Sequence, residues 1–441
     1  MTPNINSGVP ILRYHLRRDD LTPFDVLSIP NTARVFWAEP GSSQLWAGIG
    51  CEARLTACGP ERFDLIRQKA GPLLSNVMDL SEAPVPGYLP RLFGGFAFSD
   101  HPVVDMWADF PPAEFILPHI QLLQTHRETW ITINHRLLPG EDVQSVRASL
   151  EAEGRALRPQ MLAARAVLLE TTDKITFFQW QAMVNRATQS IKAGQIQKVV
   201  LSRVRAARFA TVVDPLPALK TLGRAYPQTF RFLFSPRPGQ AFFGATPELL
   251  ARVNRPQVYS VALAGSAANG RSQAEQKALA NALLGSVKDR HEHALVVDAI
   301  RNALSPLTSD LQSTDVPRVR RLANIQHLET QIHGTLTGNF DIYDVTLALH
   351  PTAAVGGAPR QAALDFVRQA EPADRGWYAA PVGWLDAAGN GVFAVAIRSA
   401  LCDGNKAHLY AGAGIVAGSD PAQEWQETEL KFKPLMEALG G

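Results

Sequence analysis

From about residue 170 onward, short strand-like runs and helical runs follow one another without the regular spacing of a strand–helix–strand repeat. That irregular interleaving restricts the chain to a large α+β fold. Residues 176–193 read as an amphipathic helix, with Trp180, Val184, Ala187 and Ile191 at helical spacing and Gly194 placed to end it. A β-branched strand is expected over 197–206, and strand patterns recur at 230–234, 240–243 and 257–263. One long helix is expected over about 273–304. Runs 392–401 and 407–410 flank Asp403-Gly404-Asn405, a hairpin turn suited to positive φ, and a last helix begins near Asp420-Pro421. The first part mixes strand-like stretches (34–37 and 130–133) with a helix over 143–157, and it carries no constellation of acids, bases or ligands. Gly94-Gly95 before Phe96 reads as a tight strand entry. The chain is accordingly divided into an N-terminal α+β region, 1–168, and a region bearing the chemistry, 169–441.

Composition removes several classes of function. With 441 residues, 46% hydrophobic and 19% charged, the chain has an ordinary globular balance. Its formal net charge of +2 gives no reason to expect a nucleic acid or a membrane surface as partner. The three cysteines, Cys51, Cys58 and Cys402, are too scattered for a disulfide framework, and the first two lack the company a zinc site needs. Residues 1–20 show no basic segment leading into a long apolar core, and no apolar run reaches membrane-spanning length, so a cytoplasmic location is expected.

Gly412, Gly414 and Gly418 follow a strand and precede a helix, which invites a dinucleotide-binding reading. Their spacing is GxGxxxG, and only 23 residues follow Gly418, too few for the returning strand and acidic residue of that motif. These glycines are expected instead to let backbone approach a small ligand.

Four segments hold residue types suited to catalysis. On the last helix Glu424, Glu427 and Lys431 fall within an arc of about 60°. That pattern suits either a solvated charged face or a ligand site beside the glycine-rich strand end. The long helix carries Lys288-Asp-Arg-His-Glu-His293 among apolar residues that point nearly all round it, so burial is expected. Asp289 and Glu292 at i, i+3 then call for a hard divalent cation or for ion pairs with Lys288 and Arg290. His291 and His293 do not complete an HExxH motif and are assigned to packing or hydrogen bonding. Lys198 shares a strand face with Val200, Ser202 and Val204; facing inward it would suit a general base, facing outward it is solvated. Glu248, after Gly244-Ala-Thr-Pro247, sits at a strand end where an acid can face a pocket.

Taken in order, Lys198-Val-Val-Leu-Ser-Arg203, Gly244-Ala-Thr-Pro-Glu-Leu-Leu250, Lys288-Asp-Arg-His-Glu-His293 and Gly412-Ala-Gly-Ile-Val through Glu424-Trp-Gln-Glu427 closely resemble the chorismate-utilising family over about 170–437. The resemblance implies a large fold of extended antiparallel sheets with surrounding helices, the small-molecule substrate chorismate, and Mg2+ as cofactor. It implies that Glu292 and Glu427 hold magnesium directly and that Asp289 and Glu424 act through its waters. Arg398 and Lys431 match contacts to substrate carboxylate, Tyr378 a hydroxyl partner, Gly265, Ser266 and Gly412 backbone or hydroxyl contacts, and His327 a pocket histidine. Such a donor set agrees with the charge of a dianion. Lys198 matches a base that activates water where the ammonia-using branch has glutamine, so no glutaminase partner is expected. Ala264 stands where another branch has a nucleophilic lysine, and Ala354 where the pyruvate-eliminating branch tends to have threonine. The resemblance thus implies the isochorismate synthase branch, with Lys198 as base and Glu248 as acid, serving menaquinone or siderophore synthesis.

Overall fold

The computed structural model describes residues 9–30, 32–82, 89–101, 105–270, 272–322 and 325–441. The first eight residues of the stretch read for a leader lie outside these. No helix among the described residues is long and apolar enough to cross a membrane.

Two large sheets make the frame. In the first, Leu168–Asp173, Lys198–Phe209, Lys406–Ile415, Ser399–Asp403, Gln240–Thr246 and Phe230–Arg237 lie side by side, and Arg34–Ala38 continues the row into the N-terminal strands. In the second, Ile325–Thr335, Gln257–Ala268, Leu249–Asn254, Gly391–Val395 and Pro381–Asp386 lead on to Arg91–Phe96. The strand pairs that join N-terminal to later strands are antiparallel, Arg231 opposite Ala38 in the first sheet and Val382 opposite Gly95 in the second. The expected boundary near 168 therefore does not separate two cores. The largest apolar cluster unites Trp37, Phe93 and Phe115 with Phe232, Phe393 and Tyr410, all buried.

Most expected elements form. Thr176 caps the helix Phe177–Lys192 through the amide of Gln179, and Gly194 follows at φ +73°. Asp420 caps Pro421–Leu439 at its start. Four expectations need correction. The single helix over 273–304 is two, Gln273–Gly285 and Val287–Leu304, because Ser286 is extended and its side chain accepts from the amide of Asp289, ending one helix and capping the next. The second of these is buried on one face only, through His293, Val296, Ile300 and Leu304, while Val287 is 84% exposed. Run 392–401 is also two strands: Gly391–Val395 belongs to the second sheet and Ser399–Asp403 to the first. Between them the chain crosses over, and Arg398 takes φ +52°, in the left-handed region that disfavours a side chain.

Gly94 and Gly95 lie inside a strand rather than at its entry. A Cβ on Gly94 would collide with the carbonyl of Glu114 on the neighbouring strand, so the need is close approach.

Candidate active site

The site lies where the chain passes from one sheet to the other. Glu248 follows Gln240–Thr246 of the first sheet and immediately precedes Leu249–Asn254 of the second, and its carbonyl accepts from the amide of Val395. Arg398 occupies the return crossing. Strand Lys198–Phe209 is hydrogen-bonded to Lys406–Ile415, which sets Lys198 beside the glycine-rich segment. Alternation along this strand points Lys198 inward, where it is 1% exposed, and Val200, Ser202 and Val204 are buried with it. The inward alternative holds.

One cavity collects the rest. Glu248, Gly265, Ser266, Asp289, Glu292, His327, Ala354, Tyr378, Arg398, Gly412, Glu424, Glu427 and Lys431 all line it. The ammonium of Lys198 reaches it through Glu292, Nζ to Oε1 3.0 Å. Gly414 makes that meeting possible, since a Cβ there would come 2.5 Å from Glu292 Oε1 and 3.1 Å from Lys198 Cε. The glycine spacing thus makes room for the protein's own charged side chains.

Three lysines hold three of the four carboxylates. Besides Lys198 and Glu292, Lys288 Nζ lies 3.1 Å from Glu424 and Lys431 Nζ 2.6 Å from Glu427, and Lys431 also donates to the carbonyl of Gly412 at 2.8 Å. Asp289 accepts from the hydroxyl of Ser286. The expected ion pairs of Lys288 and Arg290 with Asp289 and Glu292 do not form among the described residues: Lys288 pairs across helices with Glu424, and Glu292 with Lys198. On the last helix the charged face is turned to the cavity: Glu424 is 3% exposed.

Burial sets the protonation of these groups. Among the described residues Glu248 has no ion-pair partner; burial pushes its carboxyl up to about 7, against the pull of Lys198, Lys431 and Arg398. Glu427 goes the other way: burial would raise it, but Lys431, with Lys288 and Arg398, outweighs that and holds it below the usual range. Glu424 is raised, by burial first and then by the charge of Glu427. Burial lowers Arg398 to about 10, with Glu427 opposing. It holds His327 well below its usual value, helped by Arg398, so the ring is neutral. His327 Nδ1 lies 3.0 Å from Ser266 Oγ, and its Nε2 has no partner among the described residues. Tyr378 is raised by burial.

The donor set fits a hard cation in kind. Four carboxylates line one cavity, and the burial of Glu424 beside the charge of Glu427 is the situation a divalent ion relieves. Among the described residues no three His, Cys, Asp or Glu side chains already converge as a finished cage.

Tyr410 was not legible as a site residue. It lines the cavity and stacks on Tyr378 at 4.8 Å between centroids, and its hydroxyl accepts from the indole of Trp107 at 2.8 Å. Alternation from Gly412 and Gly414 was the available signal. His291 is exposed, and His293 is buried against Thr330 Oγ1 at 2.8 Å, its ring lowered to about 4 by burial, in keeping with a packing role.

Two largely antiparallel sheets, with a cavity of acids, lysines and an arginine between them and the neighbouring helices, are the frame of an enzyme that acts on a small molecule. The chain belongs to the chorismate-binding enzymes, whose family model, described as chorismate binding enzyme, matches residues 7–440. It is 38% identical over 96% of its length to the salicylate biosynthesis isochorismate synthase of Pseudomonas aeruginosa, covering 88% of that protein. It is 34% identical over 92% of its length to the isochorismate synthase MenF of Bacillus subtilis, again covering 88%. Among solved structures, the menaquinone-specific isochorismate synthase MenF of Escherichia coli superposes with TM-score 0.81 at 26% identity, over 98% of this chain and 95% of that one. Anthranilate synthase component I of Streptococcus pneumoniae shares the fold, with TM-score 0.70 at 22% identity, over 92% of this chain and 93% of that one.

Proposed function

We propose that this chain is an isochorismate synthase, a magnesium-dependent isomerase that interconverts chorismate and isochorismate. The observation that carries the reading is a base and an acid of opposite character at one cavity: Lys198, buried on one sheet, and Glu248, at the crossing between sheets, held up to about 7. The names of the relatives support the same reaction.

In this reading Lys198, acting as the neutral amine, takes a proton from water as the water oxygen bonds to C2 of chorismate. The ring double bonds shift, the bond from C4 to its hydroxyl oxygen breaks, and Glu248 gives that oxygen its proton. Water enters and water leaves, so nothing is oxidised or reduced. A near-neutral Glu248 carries the proton it must give at the pH where the enzyme works. Glu292 and Glu427 would hold magnesium directly, and Asp289 and Glu424 through its waters. The ion supplies a positive charge that anchors the ring carboxylate. Arg398 and Lys431 offer further positive charge to substrate carboxylates, and Tyr378, Ser266, Gly265, Gly412 and His327 offer hydrogen-bonding groups around the ring. Water rather than ammonia is the nucleophile, so no glutaminase partner is required. The product serves menaquinone or siderophore synthesis. At Ala354 the cavity wall carries a methyl group and no hydroxyl, so bound isochorismate is released rather than cleaved.

The test is turnover of chorismate with magnesium present and after chelation, with products separated by chromatography and pyruvate counted by a coupled lactate dehydrogenase. The reading expects a magnesium-dependent mixture of chorismate and isochorismate with little pyruvate. Stoichiometric pyruvate, or full turnover without a divalent ion, would contradict it.

A further inference from the structure

Among the described residues, the strand that carries Lys198 has no neighbouring strand along part of one edge. On its other edge it is paired throughout, Val199 to Arg208 opposite Ile415 to Lys406. On this edge, Gly357–Ala358 covers Lys198 and Val199, and Leu168–Asp173 covers residues 205–209. Between these two partners the buried backbone groups still need hydrogen bonds. Val200 N donates to the carbonyl of Gly356 at 3.0 Å, and the carbonyl of Val204 accepts from Lys174 at 2.9 Å. The carbonyl of Val200 and the amide of Ser202 are bonded by side chains instead. Arg375 Nη2 donates to Val200 O at 2.7 Å, and Ser202 N donates to Glu371 Oε1 at 2.6 Å.

Those two side chains are one unit. Arg375 Nε and Nη2 donate to Glu371 Oε2 and Oε1 at 2.9 and 2.5 Å, and both side chains are buried, 3% and 5% exposed. The remaining nitrogen, Arg375 Nη1, donates to the carbonyl of Val355 at 2.8 Å. Val355 and Ala354 form a wall of the cavity, and so does Val200, two residues from Lys198. A planar fork with five donors makes all these bonds at once; a lysine has one nitrogen and cannot.

Resting on the isochorismate synthase reading, we infer that Glu371 and Arg375 are positioning residues: their ion pair takes the place of a missing strand and locks the strand of Lys198 to the Ala354–Val355 wall. Neither touches the cavity. The anchors for substrate carboxylate, Arg398 and Lys431, stand on other elements, so loosening this pair displaces the base relative to the ring while leaving the grip on the substrate in place. Misplacement by about 1 Å costs roughly a hundredfold in rate.

The experiment combines steady-state kinetics with backbone hydrogen exchange on the full chain carrying Arg375→Met, Arg375→Lys or Glu371→Gln. In Arg375→Met, kcat is expected to fall about 10- to 100-fold with the KM for chorismate within about twofold of wild type. Exchange across residues 199–204 is expected to quicken at least about tenfold, while the strand Gln257–Ala268 keeps its protection. Arg375→Lys and Glu371→Gln are expected to show the same pattern at smaller amplitude, and they carry the test where the methionine variant does not fold. Wild-type kcat in a folded Arg375→Met protein, a KM that rises in step with the loss, or unchanged exchange over 199–204 would each overturn the inference. Exchange needs no substrate. A wrong reaction assignment therefore shows itself differently, as altered exchange in the variants with no isochorismate from the wild-type enzyme.

Discussion

The stretches before and after residue 168 are built into the same two sheets and share one apolar core, yet they differ completely in what they give the site. Every described residue that lines the cavity falls between Val200 and Lys431. The earlier stretch extends both sheets away from the site and buries large rings, Trp37, Phe93 and Phe115 among them, against the later strands. The difference separates two tasks that one fold performs. Extending a sheet needs alternation and volume, which many sequences satisfy. Setting Lys198, Glu248 and four carboxylates around one cavity needs particular side chains on a strand, a sheet crossing and two helices, and these are confined to one part of the chain.

That contrast is open to attack by substitution, and the largest effect is expected at Lys198. Lys198→Ala removes the base and should lower turnover by about a thousandfold or more with the fold intact, measured as isochorismate formed per folded molecule. Glu248→Gln should lower kcat by about a hundredfold and also change stability in a pH-dependent way. Because the folded carboxyl is raised to about 7, the folded protein keeps a proton that the unfolded chain releases above about pH 4.3. The wild type therefore loses stability as pH climbs through that window, and the penalty is complete above about 7. The glutamine variant escapes it. Thermal unfolding should show Glu248→Gln more stable than wild type at pH 8 and no such gain at pH 4.

Next come the carboxylates. Glu292→Gln and Glu427→Gln should each raise the magnesium concentration for half-maximal turnover by about ten- to a hundredfold, read from a magnesium titration. Ala354→Thr should have a smaller effect, a few-fold rise in pyruvate per isochorismate formed, read by the coupled assay. The smallest effect on catalysis belongs to the other stretch. Leu55→Ala empties a fully buried position in the strand Ala53–Ala57, and it should lower stability by about 2–5 kcal/mol while kcat per folded molecule stays within about twofold of wild type. A hundredfold loss of kcat in a well-folded Leu55→Ala protein would erase the division of labour.

How much of this was legible in the sequence follows from the same contrast. The helices with strong caps, Phe177–Lys192 and Pro421–Leu439, and the hairpin at Gly404 announce themselves locally. The break at Ser286 does not, because Leu284-Gly-Ser-Val287 sits between two helical patterns and only the cap geometry shows where one helix stops. The split of 392–401 is hidden for a different reason. Residues 392–396 and 399–402 are all buried, so the apolar run reads the same whichever sheet receives it. The resemblance supplied the identity of the cavity residues, but not the lysine partners of the carboxylates or the stacking of Tyr410. Those depend on contacts between elements far apart in sequence, such as Lys288 with Glu424. The bond from Arg375 to Val355 lies equally outside local pattern, since it depends on an unpaired edge that only the sheet order reveals.

The central claim is that Lys198 delivers water to one ring carbon while Glu248 releases hydroxyl from another. Mass spectrometry of isochorismate formed in oxygen-18 water, sampled early in the reaction, tests it most directly. The account predicts one labelled oxygen in each isochorismate, at C2, with formation lost in Lys198→Ala. Unlabelled isochorismate from the wild-type enzyme, or labelled product at wild-type rate from Lys198→Ala, would contradict it.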